Sequence, residues 1–244
     1  MQVSLFTSCL VDQLYPEVGF AALHVLARAG VDVVYNERLA CCGQPAFNSG
    51  HRAEARQVAR ALVEGANDSL PLITLSGSCA AMIKVFVPSL FEAETADKAA
   101  AEALAARTWE FSDFLVTQLG CPDLGASFEG TVTYHDSCHA LRELGIFEQP
   151  RRLIATVAGA QLLELDDRRR CCGFGGMFSV QFPEVSAAIG TDKVESIRRT
   201  GVDCVVSSDV SCLMQIEGLL RKRQLDGIRT LHLAQLLDHR GGQA

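Results

Sequence analysis

The sequence predicts an α/β fold of two similar lobes from an internal duplication, each a small parallel sheet flanked by helices. Three observations predict it. Short apolar runs of strand length alternate with stretches of helical periodicity, the pattern of strand–helix–strand units. A cysteine motif occurs twice in one order: Ser8-Cys9, Cys41-Cys42-Gly43 and Ser78-Cys79, then Ser137-Cys138, Cys171-Cys172-Gly173 and Ser211-Cys212. The offsets between partners agree: 129 residues from Cys9 to Cys138, 130 for each member of the Cys-Cys pairs, and 133 from Cys79 to Cys212. Chance does not readily match four cysteines twice at such intervals.

In the first repeat, residues 1–120, Val3–Phe6 reads as a buried strand with Cys9 past its carboxyl end. Pro16–Ala29 is helical, with Val18, Ala22, Val25 and Leu26 on one side and Gly30 as its stop. Val31–Tyr35 is the next strand and leads into the Cys41-Cys42-Gly43 loop. Arg52–Ala66 carries Val58, Leu62 and Ala66 at helical spacing, and Leu72–Leu75 is a third strand before Ser78-Cys79. Residues 95–119, rich in alanine and containing Trp109, read as one longer helix. Cys121–Gly130 is the expected boundary loop.

The second repeat, residues 131–240, follows the same plan. Thr131–Tyr134 is a strand leading to His135-Asp136-Ser137-Cys138-His139; Arg151–Val157 is helical; Gln161–Leu165 is a strand entering the Cys171-Cys172-Gly173 loop. Pro183–Arg199 is a helix with proline near its start, where a missing amide costs little. Cys204–Ser207 is a strand, Ser211-Cys212 opens a helix, and Ile228–Leu231 and Leu233–Leu237 add a last strand and helix before a frayed tail at Gly241–Ala244. The repeated cysteines thus fall at the carboxyl ends of strands, the edge where open α/β sheets bind ligands.

The 244 residues are 48% apolar and 21% charged, a globular composition, and the net charge of −7 argues against a nucleic-acid surface. No apolar run reaches the roughly 18 residues of a membrane span. Met1 leads straight into a strand with no basic leader, so the expected setting is the cytoplasm. Ten cysteines in that setting point to metal binding or thiol redox chemistry rather than a disulfide framework.

Three chemistries stand open for the eight repeated thiols, Cys9, Cys41, Cys42, Cys79, Cys138, Cys171, Cys172 and Cys212. Thiolates with backbone amides from Gly43, Gly173, Gly175 and Gly176 would wrap an iron–sulfur cluster in each repeat. Four cysteines would also hold a structural zinc in one repeat, although adjacent cysteines suit one tetrahedral ion poorly and no Cys-x-x-Cys occurs. Adjacent thiols with Arg168-Arg169-Arg170 as a local cation would serve thiol–disulfide exchange. His135 and His139 flank Cys138, and His135 is a candidate hydrogen-bond donor, proton relay or ligand. Cys204 reads as a small buried residue and Cys121 as a loop residue outside any site. Walker-type, Gly-x-Ser-x-Gly and His-Glu-x-x-His motifs are absent, no substrate pocket is legible, and no catalytic residue is assigned.

The spacing Cys, about thirty residues, Cys-Cys-Gly, somewhat under forty residues, Cys resembles the cysteine-rich CCG domain in tandem. That domain occurs in one of the subunits of heterodisulfide reductase and in the iron–sulfur subunits of glycolate and glycerol-3-phosphate oxidases. Cys9–Asp12, Cys41–Gly50, His135–His139 and Cys171–Gly176 with Phe178-Ser179 are similar to signatures of the lactate-utilisation protein A family, over residues 3 to about 237. The resemblance implies a non-autonomous iron–sulfur electron-transfer subunit of a multi-subunit L-lactate dehydrogenase. Its partners would be two further subunits, one of them a ferredoxin-type iron–sulfur protein. The wider domain often ends in Cys-x-x-Cys, whereas this chain has Met82 and Gln215 at those last positions. Four thiolates per repeat suit an ordinary [4Fe–4S] cluster.

Overall fold

The computed structural model describes residues 1–66 and 69–240. The chain begins with β1 (Gln2–Phe6), α1 (Cys9–Leu14), α2 (Pro16–Arg28), β2 (Asp32–Tyr35), α3 (Gln44–Asn48), α4 (Arg52–Gly65), β3 (Leu72–Thr74) and α5 (Gly77–Ala81). A π-helical turn, Met82–Phe86, prolongs α5, and α6 (Ala96–Arg107), β4 (Thr108–Glu110) and the single turn α7 (Phe111–Asp113) follow. The second half runs β5 (Ser127–Tyr134), α8 (Cys138–Arg142), α9 (Glu148–Ile154), β6 (Ala158–Leu162), α10 (Met177–Gln181), α11 (Pro183–Thr200), β7 (Cys204–Ser207), α12 (Val210–Lys222), β8 (Arg229–His232) and α13 (Leu233–Asp238).

Two four-stranded parallel sheets result, in the same order: β2-β1-β3-β4 and β6-β5-β7-β8. The registers match as well. Ser4 lies opposite Leu72 and Leu5 opposite Ile73, and Thr133 lies opposite Val205 and Tyr134 opposite Val206. In each sheet the chain starts at an inner strand, pairs to one side, then crosses to the other. This leaves a crevice at the carboxyl ends of β1 and β3, and of β5 and β7.

Packing between the halves follows a pseudo-twofold relation. Helix α2 lies on α13 as α9 lies on α7, and α5 meets α8 as α12 meets α1. One apolar core runs through the join, taking Val3, Leu5 and Leu26 from one lobe and Phe128, Val132 and Leu236 from the other. A smaller cluster in each lobe sits around the thiols, at Phe6, Cys42 and Cys79 in the first and at Cys172, Val205 and Cys212 in the second. At α5 on α8 the helices approach closely enough that only glycine fits. A Cβ on Gly77 would lie 2.7 Å from Ala140 Cβ and 2.8 Å from Ser137 Oγ.

The expected elements stand with three corrections. Residues 95–119 are not one helix, because α6 stops at Arg107 and Thr108-Trp109-Glu110 forms the parallel edge strand β4 beside β3. The β-branched and aromatic pair Thr108-Trp109 overrides the alanine-rich helix before it. The boundary loop is also shorter, since β5 starts at Ser127, four residues before the expected strand. Finally, β6 covers Ala158–Leu162 rather than Gln161–Leu165. The expected tail Gly241–Ala244 lies outside the described residues.

Candidate metal centre

Each repeated cysteine is placed by its local sequence. Ser8 and Ser137 cap the helices that Cys9 and Cys138 begin: Val11 N–H donates to Ser8 Oγ (3.3 Å) and Ala140 N–H to Ser137 Oγ (3.4 Å). Cys79 and Cys212 sit on the first turns of α5 and α12, whose caps are Ser76 and Asp209. The Cys-Cys pairs sit in the loops after β2 and β6, where Gly43 (φ +83°) and Gly173 (φ +88°) take left-handed backbone. The turn brings the glycine amide onto the first sulfur, with Gly43 N–H donating to Cys41 Sγ (3.4 Å) and Gly173 N–H to Cys171 Sγ (3.3 Å). Packing at Gly173 admits no side chain, because a Cβ there would lie 2.4 Å from Ser186 O.

These placements gather the thiols into two matching sets. Cys9, Cys41, Cys42 and Cys79 form one chain of side-chain hydrogen bonds, and Cys138, Cys171, Cys172 and Cys212 form the other. All ten cysteines are free thiols. In each set the first member of the adjacent pair is the acidic one. Hydrogen bonds from Cys42 and Cys9 pull Cys41 down to about 2, and those from Cys138 and Cys172 pull Cys171 to about 2. Their donors go the other way: Cys9, Cys42, Cys138 and Cys172 are held protonated by these same bonds and by burial. The expected role for Arg168-Arg169-Arg170 does not appear. Arg170 pairs with Asp167 and Asp192, and Arg168 stacks over Phe147. Acidity in the sets comes from sulfur neighbours and amides.

Both sets open on one cavity of about 590 Å³, which all eight cysteines line from opposite lobes. Its floor is tied across the join. Asp209 caps α12 with one oxygen and with the other accepts from Ser78 N–H (2.9 Å) and Ser76 Oγ–H (3.2 Å) of the first lobe. Gly77 N–H donates to Ser208 O (3.3 Å). The walls are largely apolar, with Leu10, Pro45, Phe174 and Val210, and Arg142, Glu143 and His139 add polar groups.

The second set has extra polar support. Asp136, beside it, receives two hydrogen bonds from Arg151, at 2.9 and 2.8 Å, and Arg151 also reaches Glu164 at 2.6 Å. Lys193, wholly buried, donates to Asp167 O (3.1 Å) and so braces the loop ahead of Cys171. His135 is wholly buried, and neither ring nitrogen has a hydrogen-bond partner. Burial holds it neutral, down to about 3. His139 Nδ1 lies 3.4 Å from Glu143 and its ring meets Phe86 edge-on. Cys204 is wholly buried in β7, its thiol pushed up to about 12 by burial, and half-buried Cys121 packs on the joint core, so neither joins the cavity.

The donor set fits a thiolate-bound metal group. Soft sulfur donors converge, backbone amides point at them, and a buried imidazole beside them lacks any protein partner. The sequence does not announce the shared cavity, the cross-lobe bonds of Asp209, or the Asp136–Arg151–Glu164 cluster. A signal for Asp209 exists in its position, which matches Ser76 one repeat earlier.

The cysteine-rich domain CCG matches residues 3–84 and again 132–217. Lactate utilization protein A of Geobacillus thermodenitrificans is 41% identical over 240 residues, covering 98% of this chain and all of that one. The chain belongs to the lactate utilization protein A family. The Bacillus subtilis member is 39% identical over 242 residues, again covering 98% of this chain and 100% of its own. A crystal structure of a hypothetical protein from Helicobacter pylori shares the fold at TM-score 0.66 and 11% identity; it matches all of this chain, which spans 49% of that one. No helix among the described residues is long and apolar enough to cross a membrane.

Proposed function

We propose that the chain is a cytoplasmic iron–sulfur electron-transfer subunit of a multi-subunit complex that oxidises L-lactate to pyruvate. The observation that carries the reading is the pair of four-thiol sets facing one cavity from opposite lobes. Cys9, Cys41, Cys42 and Cys79 would hold one [4Fe–4S] cluster, and Cys138, Cys171, Cys172 and Cys212 a second. Such clusters, when bound, accept and release single electrons. The chain's own part is to hold and shield. The amides of Gly43 and Gly173 direct N–H groups at sulfur, which favours the reduced form by spreading its charge. Leu10, Phe174 and Val210 keep the walls apolar, and Asp209 fixes one lobe's thiol-bearing turns against the other's. No group in the cavity is assigned to lactate itself. The reaction therefore belongs to the complex, whose other members include a ferredoxin-type partner.

Iron, acid-labile sulfide and zinc content of protein purified without oxygen tests the reading. Equal iron and sulfide, near four or eight per chain, supports it. The direct thiol contacts Cys41–Cys42 and Cys171–Cys172 favour a second reading, a heterodisulfide-type thiol–disulfide oxidoreductase. Reactive thiols with no metal would select that one. Stoichiometric zinc without sulfide would make the chain a structural subunit and move electron transfer to its partners.

A further inference from the structure

The two thiol sets are alike in their cysteines but not in what backs them. Phe6 and His135 hold the same place in the two lobes, three residues before the first cysteine and one past the matching pairs Leu5–Ile73 and Tyr134–Val206. Phe6 is wholly buried and packs with Cys42 and Cys79, an apolar ring in an apolar cluster. His135 is equally buried, yet it carries two nitrogens with no hydrogen-bond partner in the protein. A core position that takes phenylalanine in one repeat gains nothing in packing from an imidazole, and unpaired polar atoms there are costly. No group of the polypeptide partners the ring, so a partner for it must come from outside the polypeptide.

The partner's place is set by what surrounds the ring. A ring nitrogen of His135, Cys172 Sγ and Cys212 Sγ all lie within 4.8 Å of one another. Among the described residues this is the one such triad able to grip a single metal ion, and the first lobe has no counterpart. The ring is therefore aimed at the inner two sulfurs of the second set, where a lone pair would meet a metal held by them.

We propose that His135 is a metal ligand of the second centre, alongside Cys138, Cys171, Cys172 and Cys212. The second centre then has five protein donors, one more than the four-thiolate cluster of the first lobe takes, and so departs from an ordinary [4Fe–4S] centre. The first centre is then held by sulfur alone. The two centres of the duplicated fold differ in donor chemistry, with one imidazole nitrogen in the second and none in the first. This rests on the reading that the thiols hold metal, and the experiment separates the two.

Protein labelled with ¹⁵N in histidine only is purified without oxygen, reduced and studied by pulsed electron paramagnetic resonance beside unlabelled protein. A through-bond nitrogen coupling that changes with the label, vanishes in His135→Phe and survives in His139→Gln is the expected result. An iron- and sulfide-loaded protein with no such coupling, or only the weak coupling of an N–H···S contact, overturns the ligation and leaves the function standing. A companion titration reads His135 without iron. In reduced, metal-free protein carrying Cys41→Ser and Cys42→Ser, Co²⁺ reports the second centre, and adding His135→Phe lowers its affinity at least about tenfold, the least expected when even a supporting group of a metal site is lost. Unchanged Co²⁺ affinity, or no Co²⁺ binding at all, overturns the proposal. A tenfold loss in protein that takes up no iron and sulfide upholds it and sinks the cluster reading instead. The labelled wild-type protein needs no substitution, so the test stands even where a variant folds poorly.

Discussion

Glu110 gives the sharpest test of how the two lobes are joined. It ends β4 of the first lobe, is wholly buried, and caps α7 by accepting from Ser112 N–H (2.8 Å), Asp113 N–H (3.1 Å) and the Ser112 hydroxyl. Ser208 of the second lobe faces it and is bonded in turn to Tyr134 Oη at 2.5 Å. Burial outweighs these donors and raises the carboxyl from 4.5 to about 7. The folded chain therefore keeps a proton between pH 4.5 and 7 that the unfolded chain has lost. Its contribution to stability is full below pH 4.5 and is lost as pH rises through 7. At about 1.4 kcal/mol per unit this amounts to about 3 kcal/mol. Buried His135 and His232, lowered to about 3 and 4 by burial, act in the opposite sense, since the unfolded chain binds their protons first as pH falls below 6.5. Glu110→Gln removes only the first term. Relative to wild type, the variant should gain about 3 kcal/mol between pH 4.5 and pH 8, or about 6–12 °C in melting temperature for a chain of this size. The assay is a pair of thermal or urea unfolding series, with both proteins in the same state of metal loading. Parallel curves for the two proteins across that range would refute the reasoning.

Gly173→Ala forces a side chain into left-handed backbone and against Ser186 O, and should lower stability by about 2–4 kcal/mol in unfolding measurements. Gly30→Ala, at a similar φ with open space around it, should cost only about 1 kcal/mol. Asp136→Asn strips Arg151 of its buried bidentate partner and leaves Glu164, so a loss of about 2–3 kcal/mol is expected by chemical denaturation. Cys41→Ser with Cys42→Ser should remove one centre's iron and leave the other's; full iron retention in elemental analysis would reject the first-lobe ligands.

The fold is legible largely because the duplication is written in cysteines. Eight thiols at matched offsets mark the repeat, and strand-length apolar runs before them mark the parallel sheets. What escapes is what depends on distant residues. Thr108-Trp109-Glu110 is too short to announce a strand until β3 lies beside it. Each thiol set is readable from spacing, but their meeting in one cavity is not, because it follows from α5 on α8 and α2 on α13, contacts between elements far apart in the chain. The run of arginines before Cys171 suggests a cationic source for its acidity, yet the source lies in the neighbouring sulfurs, a distinction that needs three dimensions.

The core shared by the lobes has a further consequence. A fragment ending near residue 120 would leave Leu5, Leu26 and Phe111 without the partners that now cover them. The helices that cover such a half are the equivalents of its own, so the join has the layout of a twofold dimer. The chain is in that sense a dimer made covalent. Tethering favours pairing of the two unlike halves with each other, since each is held at high effective concentration beside the other. A change such as phenylalanine to histidine could then enter one half only, and the molecule could become asymmetric while its architecture stayed twofold.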